Sequence, residues 1–498
     1  MLVIISDLHL TDGTSGDDSN PGAFEIFRER LQELAYRASW RVDGTYRPLD
    51  RIELVLLGDI FDLMRSQQWL ASTARPWRDS QSSPVTETVQ HIVDRILDVN
   101  RESLDTFRAT VEMGGIRLPP PNQGGQPVFQ AEPVPVYVRA YYMVGNHDWM
   151  FHLTGAAYDG IRRKIVERMG LVNSPTQPFP HDCYESDDLL AAMRRHRVLA
   201  RHGDMFDPIN FGETRDAASL GDAIVIELVN RFAGQIDSEY GAELPPAVVR
   251  GLAELPHIRP LLVIPVWIEG LLDRSSVRSE LRRNIKRTWD QLADEFLQLP
   301  FVRQHDKWSP FQLVDGLEHA LKFSKRMTIG WTAKIVSWLQ EIRGAASDSY
   351  CPHALAEPDF RNRRARHIVY GHTHVPETVP LDASYADSYV LNQIYFNTGT
   401  WRRVYRQTQW SPAEQEFIPA ESMSYAAFYQ GDERGGRSFE TWTGTLGTDS
   451  RDVPLRRLDA SGSSHAAEQP IPAPKVPLRA PHFQRPVSVP AATSARRP

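Results

Sequence analysis

Five short motifs place oxygen and imidazole side chains in a recurring pattern along this chain. They read Asp7-Leu8-His9, Gly58-Asp59-Ile60-Phe61-Asp62, Gly145-Asn146-His147-Asp148, His202-Gly203-Asp204 and Gly371-His372-Thr373-His374. Carboxylate, amide and imidazole donors without a thiolate favour a Mn-, Fe- or Zn-type ion in a reactive site over a structural zinc. The chemistry they indicate is hydrolysis by a water that a metal ion activates.

The number of candidate ligands indicates two ions. One such ion takes about four to six donors, and seven side chains are suited to this role. They are Asp7, His9, Asp59, Asn146, His202, His372 and His374. Two ions about 4 Å apart that share a carboxylate and a water would use all of them and favour in-line attack at phosphorus. We expect Mn²⁺ in both positions, with Fe, Zn, Mg or Ni as alternatives.

Each motif follows a short apolar run that is typical of a β-strand. The runs cover residues 3–5, 54–57, 141–144, 198–200 and 368–370. In an open α/β sheet the loops after the carboxyl ends of the strands meet at one edge, so the five motifs can converge. Glycine in four of the motifs permits tight turns where the backbone approaches the ions. These glycines are Gly58, Gly145, Gly203 and Gly371.

The ordered set of motifs resembles the calcineurin-like metallophosphoesterase superfamily, whose blocks read D-x-H, GD-x-x-D, GNH-D/E, H and GH-x-H. The resemblance covers residues 1–210 and 360–405. It implies an α/β fold with a two-layered β-sandwich core flanked by helices. It also implies two ligand sets that share Asp59: the first is Asp7, His9, Asp59 and His374, and the second is Asp59, Asn146, His202 and His372.

The same resemblance gives His147 a catalytic role, in which it contacts the scissile phosphate and protonates the leaving oxygen. The chemistry of histidine supports this role, because its pKa lies close to neutral pH and its side chain can therefore donate a proton under these conditions. The neighbouring Asp148 would orient His147 and favour its charged form. Asp62 fits either a supporting role or an ordinary surface acid.

Four other side chains beside the motifs have weaker assignments. Asp204 and Asp207 follow His202, and we interpret them as loop or cap residues. His196 and His367 stand beside arginines ahead of their strands, and we expect both to be solvated.

Composition limits the class of protein and the class of partner. The chain has 498 residues, a net charge of −7 and a pI of about 6.2, which disfavours nucleic acid as a partner. Two cysteines give no disulfide framework. The first strand starts at the amino terminus, and the most apolar stretch, 261–268, is too short to span a bilayer. We therefore expect a cytoplasmic protein without a transmembrane segment.

The chain divides into a split core with insertions. Residues 1–209 form the first part of the core, with a helix and loop insert at about 63–133 and helices predicted at 24–35 and 87–112. Residues 210–360 form a helical insertion or cap, with helical patterns at 218–233, 245–254, 261–299 and 311–343. Residues 361–450 complete the core. Residues 461–498 are a basic tail rich in Pro and Ala, which we expect to be disordered.

A row of basic residues stands out in the insertion. Arg274, Arg278, Arg282 and Lys286 recur every four residues, which predicts one basic helix face within 274–287. Such a face, or the basic tail, could contact an anionic surface. The alternative is a solvated face whose charges pair locally.

The substrate class stays open at this level. A phosphate ester and a pyrophosphate fit the motifs equally well, and a nuclease or cyclic-nucleotide phosphodiesterase could use the same core. The His-Gly-Asp block and the helical insertion look most like the UDP-2,3-diacylglucosamine pyrophosphatase branch, although its compact members often carry Arg where this chain has His147. A non-catalytic metal-binding scaffold is the remaining alternative, but a decayed site predicts missing ligands, and here every motif is intact.

Overall fold

The computed structural model describes residues 1–15, 21–211, 214–259, 264–306, 349–384, 391–407 and 417–445. Met1–Gly447 form one compact unit. The helix predicted at 311–343 and the tail at 461–498 lie outside the described residues, as does the remainder of the second unit, Thr448–Pro498.

Among the described residues, the strands form three sheets of six, four and three strands. The strands are β1 (Leu2–Ile5), β2 (Arg51–Leu57), β3 (Ile116–Leu118), β4 (Val134–Met143), β5 (Val198–Ala200), β6 (Ile258–Arg259), β7 (His367–Tyr370), β8 (Pro376–Ser384), β9 (Leu391–Thr398), β10 (Val404–Gln407), β11 (Phe417–Ala420), β12 (Ser422–Phe428) and β13 (Phe439–Thr445). Their orders are β13-β12-β1-β2-β4-β3, β5-β7-β9-β8 and β11-β10-β6.

Helices connect and cover the strands. The α-helices are α1 (Pro21–Ala38), α2 (Ser83–Val99), α3 (Arg101–Val111), α4 (Ala156–Met169), α5 (Asp187–His196), α6 (Leu220–Ile224), α7 (Arg231–Tyr240), α8 (Pro246–Ala253), α9 (Ile264–Arg274), α10 (Ser279–Gln298), α11 (Pro300–Asp306), α12 (Cys351–Ala356) and α13 (Pro358–Arg361). A π-helical turn, Val225–Asn230, joins α6 to α7.

Each strand that precedes a motif pairs in parallel with at least one neighbouring strand. In the six-stranded sheet β1 pairs in parallel with β2, and β2 with β4. In the four-stranded sheet β5 pairs in parallel with β7, and β7 with β9. The predicted strand positions are confirmed, and all five motifs leave the carboxyl ends of parallel strands, where ligands bind in α/β sheets.

The two larger sheets pack face to face through alternating side chains. Along β1, Leu2 and Ile4 belong to a buried cluster that also contains Val369 and Phe396 of the four-stranded sheet. The other face of β1 packs against the helices, so its side chains belong to a second cluster with residues of α1 to α4. Successive side chains of a strand point to opposite faces of the sheet, so β1 contributes to both buried clusters. The mixed α/β class is confirmed.

Two predicted helices are divided. The helix expected at 87–112 is broken at Asn100, whose side chain donates to the carbonyl of Thr11 at 2.9 Å and to that of Ile96 at 2.9 Å. The helix expected at 261–299 ends at Arg274, and the next helix starts at Ser279. The basic row is therefore not one helix face, and that prediction is wrong.

Two basic residues of the row, Arg282 and Lys286, are paired with acids. Arg282 forms ion pairs with Glu269 at 2.6 Å and Asp273 at 2.5 Å, and Lys286 pairs with Asp290 at 3.0 Å. Such pairing supports the solvated interpretation of this segment, because neutralised charges add little attraction for an anionic surface.

The described part of the insertion has an apolar core of its own. Trp267, Ile285, Trp289 and Phe296 are buried in a cluster distinct from the two that line the sheets. β6 joins this region to the chain beyond the insertion by pairing in parallel with β10. Within the described ranges, no helix is long and apolar enough to cross a membrane.

Candidate metal centre

Five of the seven predicted ligands share an unusual backbone conformation. Asp7, His9, Asp59, His372 and His374 have φ angles of 54°, 49°, 55°, 68° and 60°. Non-glycine residues rarely adopt this left-handed region, and strained residues of this kind cluster where function requires a fixed side-chain direction. All five residues lie within four residues of the carboxyl end of β1, β2 or β7.

Two glycines let the motif loops pack against one another. A Cβ atom at Gly58, whose φ is 82°, would lie 2.5 Å from His202 Nδ1. A Cβ atom at Gly371 would lie 2.6 Å from Asp7 Oδ2. Any larger residue at these positions would displace a predicted ligand, so glycine is required by close approach.

The first set of donors gathers around Asp7 and Asp59. One donor atom from each of Asp7, His9, Asp59 and His374 lies within 4.8 Å of the others, and all four residues are buried. His374 Nε2 lies 3.3 Å from Asp7 Oδ1 and 3.0 Å from His9 Nε2. His9 Nε2 lies 3.7 Å from Asp59 Oδ2. These side chains can hold a metal ion.

The second set of donors shares Asp59 with the first. Asp59, His202 and His372 also bring donor atoms within 4.8 Å of one another. His202 Nε2 lies 3.2 Å from Asp59 Oδ2, and His372 Nδ1 lies 2.9 Å from Asn146 Oδ1. All seven predicted ligands therefore lie in two adjoining groups joined by Asp59.

Three of these histidines are oriented through the ring nitrogen that faces away from the cluster. His9 Nδ1 donates to Asp62 Oδ2 at 3.0 Å, His202 Nδ1 donates to the carbonyl of Leu57 at 2.9 Å, and His372 Nε2 lies 3.1 Å from Asp207 Oδ2. Metal-binding histidines almost always use their second nitrogen in this way, which leaves a lone pair for the ion.

A cation would resolve an electrostatic conflict inside the cluster. In the neutral form that metal binding requires, His202 donates through Nδ1 to Leu57, and its Nε2 then presents a lone pair toward the carboxylate of Asp59. That Nε2 and Asp7 Oδ1 are both buried without a hydrogen-bond partner. Buried polar atoms are normally satisfied. The residues therefore fit divalent ions, which accept lone pairs from carboxylate and imidazole together.

The histidine and acid charges stabilise one another here. Burial by itself disfavours ionised carboxylates, yet the neighbouring histidines outweigh it and hold the pKa values of Asp7 and Asp59 well below their usual range. Both carboxyl groups are thus in the ionised form that a cation needs.

His147 lies beside the shared carboxylate but is held by Asp62. Its Nδ1 lies 2.8 Å from Asp62 Oδ1, and its backbone N–H donates to Asp59 Oδ1 at 2.8 Å. Burial opposes the charged imidazolium, but Asp62 and Asp59 outweigh it and raise the pKa of His147. Asp62 is fully buried, so it is a supporting residue and not a surface acid.

The expected role of Asp148 is corrected by its contacts. Asp148 accepts hydrogen bonds from the hydroxyl of Tyr142 at 2.6 Å, from Gly145 N at 2.6 Å and from Ile60 N at 2.9 Å. It therefore clamps two motif loops, whereas Asp62 orients His147. Burial and the charge of Asp59 raise the pKa of Asp148 to about 7.

Two further expectations change with the structure. His196 and His367 are buried, with 4% and 2% of their surface exposed, and are not solvated.

Asp207 orients His372, a role beyond that of a loop residue. Its position five residues after His202 was the available signal, because a loop that supplies one ligand can also supply a supporting acid. Asp204 is buried, with Arg215 Nη1 at 3.7 Å from its Oδ1.

Comparison with known proteins gave no match: no protein-family model and no curated protein matches this chain. The assignment of a function therefore depends on the chemistry and geometry of the site.

Proposed function

We propose that this chain is a metal-dependent phosphoesterase of the calcineurin-like metallophosphoesterase type. The observation that carries the proposal is the pair of donor groups that share Asp59, with His147 seated next to them. Each group mixes carboxylate and imidazole donors, which suits Mn²⁺, Fe or Zn. The two face-to-face sheets, with every ligand loop at the carboxyl ends of parallel strands, are consistent with that fold family.

Two ions would be held by the residues already described. Asp7, His9, Asp59 and His374 would hold the first, and Asp59, Asn146, His202 and His372 would hold the second. When bound, such ions withdraw charge from phosphoryl oxygens and lower the pKa of water.

His147 would supply the proton for the leaving oxygen. Its Nδ1 donates to the ionised Asp62, so the proton available for transfer is at Nε2. The side chain is 12% exposed, which leaves a face open to a substrate. A positioned histidine acid of this kind typically contributes about 10²- to 10⁴-fold in rate.

Asp59 and Asp62 would keep this acid in place. The backbone bond from His147 to Asp59 couples the acid's position to the shared carboxylate. Asp62 contacts both His147 and His9, so one buried carboxylate orients the acid and a ligand together. Arg65 Nε lies 3.0 Å from Asp62 Oδ2 and holds that carboxylate in turn.

A substrate panel tests the proposal. The Mn²⁺-loaded protein would be assayed on p-nitrophenyl phosphate, bis-p-nitrophenyl phosphate, a nucleotide-sugar pyrophosphate, a cyclic nucleotide and single-stranded DNA. We expect hydrolysis of at least one phosphorus ester or anhydride, abolished by Asp59→Asn. Metal binding without hydrolysis of any member would contradict the phosphoesterase proposal and favour the scaffold alternative.

A further inference from the structure

A second group of histidine and acid side chains lies outside the candidate metal centre. His152, His181 and Asp216 bring donor atoms within 4.8 Å of one another. His152 ends the short 3₁₀ helix Trp149–His152 after the Asn146-His147 loop, and His181 lies ahead of the turn Cys183–Glu185. Asp216 belongs to the first residues of the insertion. None of the three is used by the proposed hydrolysis.

His181 is the observation that separates this group from an ordinary ion pair. It is 1% exposed, and both of its ring nitrogens are buried without a hydrogen-bond partner. Its ring centroid lies 4.4 Å from that of His152. Unsatisfied buried nitrogens are costly, and here donor atoms of His152 and Asp216 lie close enough to share a cation with them.

His152 is arranged as a metal-binding histidine is. Its Nδ1 lies 2.6 Å from Asp216 Oδ1, and its Nε2 lies 3.2 Å from Glu185 Oε2. A cation held together with Asp216 would take Nδ1, while Nε2–H donates to Glu185. This carboxylate–histidine pairing repeats that of His9 with Asp62 in the first centre.

We infer that His152, His181 and Asp216 form an additional divalent-cation site, selective for Zn²⁺-type ions, that ties the core to the insertion. Two imidazoles and one carboxylate are a ligand set that zinc accepts, with the fourth position open to water. Two ligands belong to the loops around the proposed catalytic residues and the third to the start of the insertion. The ion therefore cross-links these segments.

The surrounding charges are compatible with such an ion. Burial, together with Arg215 and His152, lowers the pKa of His181 well below its usual range, so this imidazole is neutral. Arg215 is the nearby cation, but its Nη2 lies 3.3 Å from Met205 Sδ and its Nη1 lies 3.7 Å from Asp204 Oδ1. Glu185 and Asp216 offset the remaining positive charge.

Zinc binding by four forms of the full-length protein tests the inference: wild type, Asp59→Asn, Asp216→Asn and the control Asp188→Asn. Asp216 is half-exposed, so its replacement leaves the fold intact, and Asp188 is an exposed acid in α5. After equilibrium dialysis against Zn²⁺, elemental analysis should show one ion fewer in Asp216→Asn than in wild type or Asp188→Asn. The Asp59→Asn form should retain this ion while losing those of the first centre.

A second readout separates the ion from a simple salt bridge. Proteolytic cleavage near residues 205–220 should slow at least fivefold when Zn²⁺ is added to wild type or Asp59→Asn, and should be unchanged in Asp216→Asn. Equal zinc content in wild type and Asp216→Asn would overturn the inference. Zinc-independent cleavage in every form would overturn it too, because His152 would then only pair with Asp216. Neither result bears on the phosphoesterase proposal, which depends on Asp59.

Discussion

Two sets of buried histidines lie at opposite ends of the parallel strands. His9 and His202 lie at the carboxyl ends of the strands, and His196 and His367 lie near the amino ends of β5 and β7. All four have at most 4% of their surface exposed. Burial is therefore the same in both sets, and any difference in function comes from what surrounds the rings.

The surroundings differ in charge. Burial disfavours the imidazolium of His202, but Asp59 and Asp7 outweigh it and raise its pKa well above the usual value. Burial lowers the pKa of both His196 and His367 to about 3. For His367, the positive charges of Arg366 and Arg197 add to this effect. His367 packs among the rings of Phe428 and Phe396. A buried histidine is a ligand candidate when a carboxylate donor atom lies near one of its ring nitrogens, as for His9, His202 and His181.

The largest effect should come from Asp59→Asn. This change removes the carboxylate that both donor groups share, so both ions should be bound more weakly and turnover should fall by more than about 10²-fold, beyond what loss of an outer partner costs. Elemental analysis and a phosphodiester assay measure both consequences. The exposed Asp188→Asn should leave both unchanged. Wild-type metal content in Asp59→Asn would contradict the claim that carboxylates make the histidines at the carboxyl ends of the strands metal ligands.

His147→Ala should keep the ions and lose the acid. Turnover should fall by about 10²-fold or more on substrates with poor leaving groups. The loss should shrink for p-nitrophenyl esters, because a good leaving group needs less proton assistance. The exposed His91→Ala is the matched control. Equal losses for good and poor leaving groups would count against proton donation and favour phosphate positioning.

Asp62→Asn should mainly lower turnover and Asp148→Asn should mainly lower stability, although both acids are buried beside the centre. Asp62 orients His147 and His9, so its amide should lower turnover by about 10- to 100-fold, the cost of losing an outer-sphere partner. Asp148 clamps loops through bonds that an amide can partly retain, so Asp148→Asn should chiefly lower the melting temperature. Kinetics and thermal unfolding of both variants separate the roles. A larger turnover loss in Asp148→Asn would restore the assignment of Asp148 as the orienting acid.

The smallest effect should come from His367→Phe at the other end of the sheets. In the unfolded chain this histidine is protonated below its ordinary pKa of about 6.5. In the folded chain it stays neutral until the pH falls to about 3, because its pKa is lowered to that value. Stability should therefore fall as pH drops below 6.5, and full stability should be present above it. At pH 5 this cost is about 2 kcal/mol, from about 1.4 kcal/mol per pKa unit.

Phenylalanine removes that cost and fits among the neighbouring rings. Urea unfolding of chelator-treated wild type and His367→Phe at pH 5 and pH 8 measures the difference, since chelation excludes acid release of metal. The variant should gain on wild type at pH 5 relative to pH 8. An identical pH dependence in both proteins would mean that His367 is hydrated, as the sequence first indicated.

The convergence of the seven candidate ligands could be predicted from the sequence because each stands within four residues of the strand that positions it. The outer partners could not. His147 and Asp62 are 85 residues apart, and His372 and Asp207 are 165 apart, so only the fold brings them together. Asp148 was adjacent to His147 but points toward other loops. Proximity in the sequence predicted which donor residues gather around Asp59, and it misidentified the acid that orients His147.

The pairing of distant strands and the break between two helices also could not be predicted from local sequence patterns. β12, which starts at Ser422, pairs in the six-stranded sheet with β1, which ends at Ile5, so the two paired strands lie far apart in the sequence. The break between α9 and α10 falls where Ser276 adopts a φ of 49°, a conformation that no helical periodicity predicts. Local spacing reports one element at a time, whereas sheet order and helix breaks depend on packing between elements.

Anomalous diffraction from crystals of the manganese-loaded protein tests the central claim most directly. The account predicts two manganese peaks, one on each side of the Asp59 carboxylate. One peak should lie among Asp7, His9 and His374, and the other among Asn146, His202 and His372. A single peak at Asp59, or none there in protein that retains manganese, would contradict the shared-carboxylate centre.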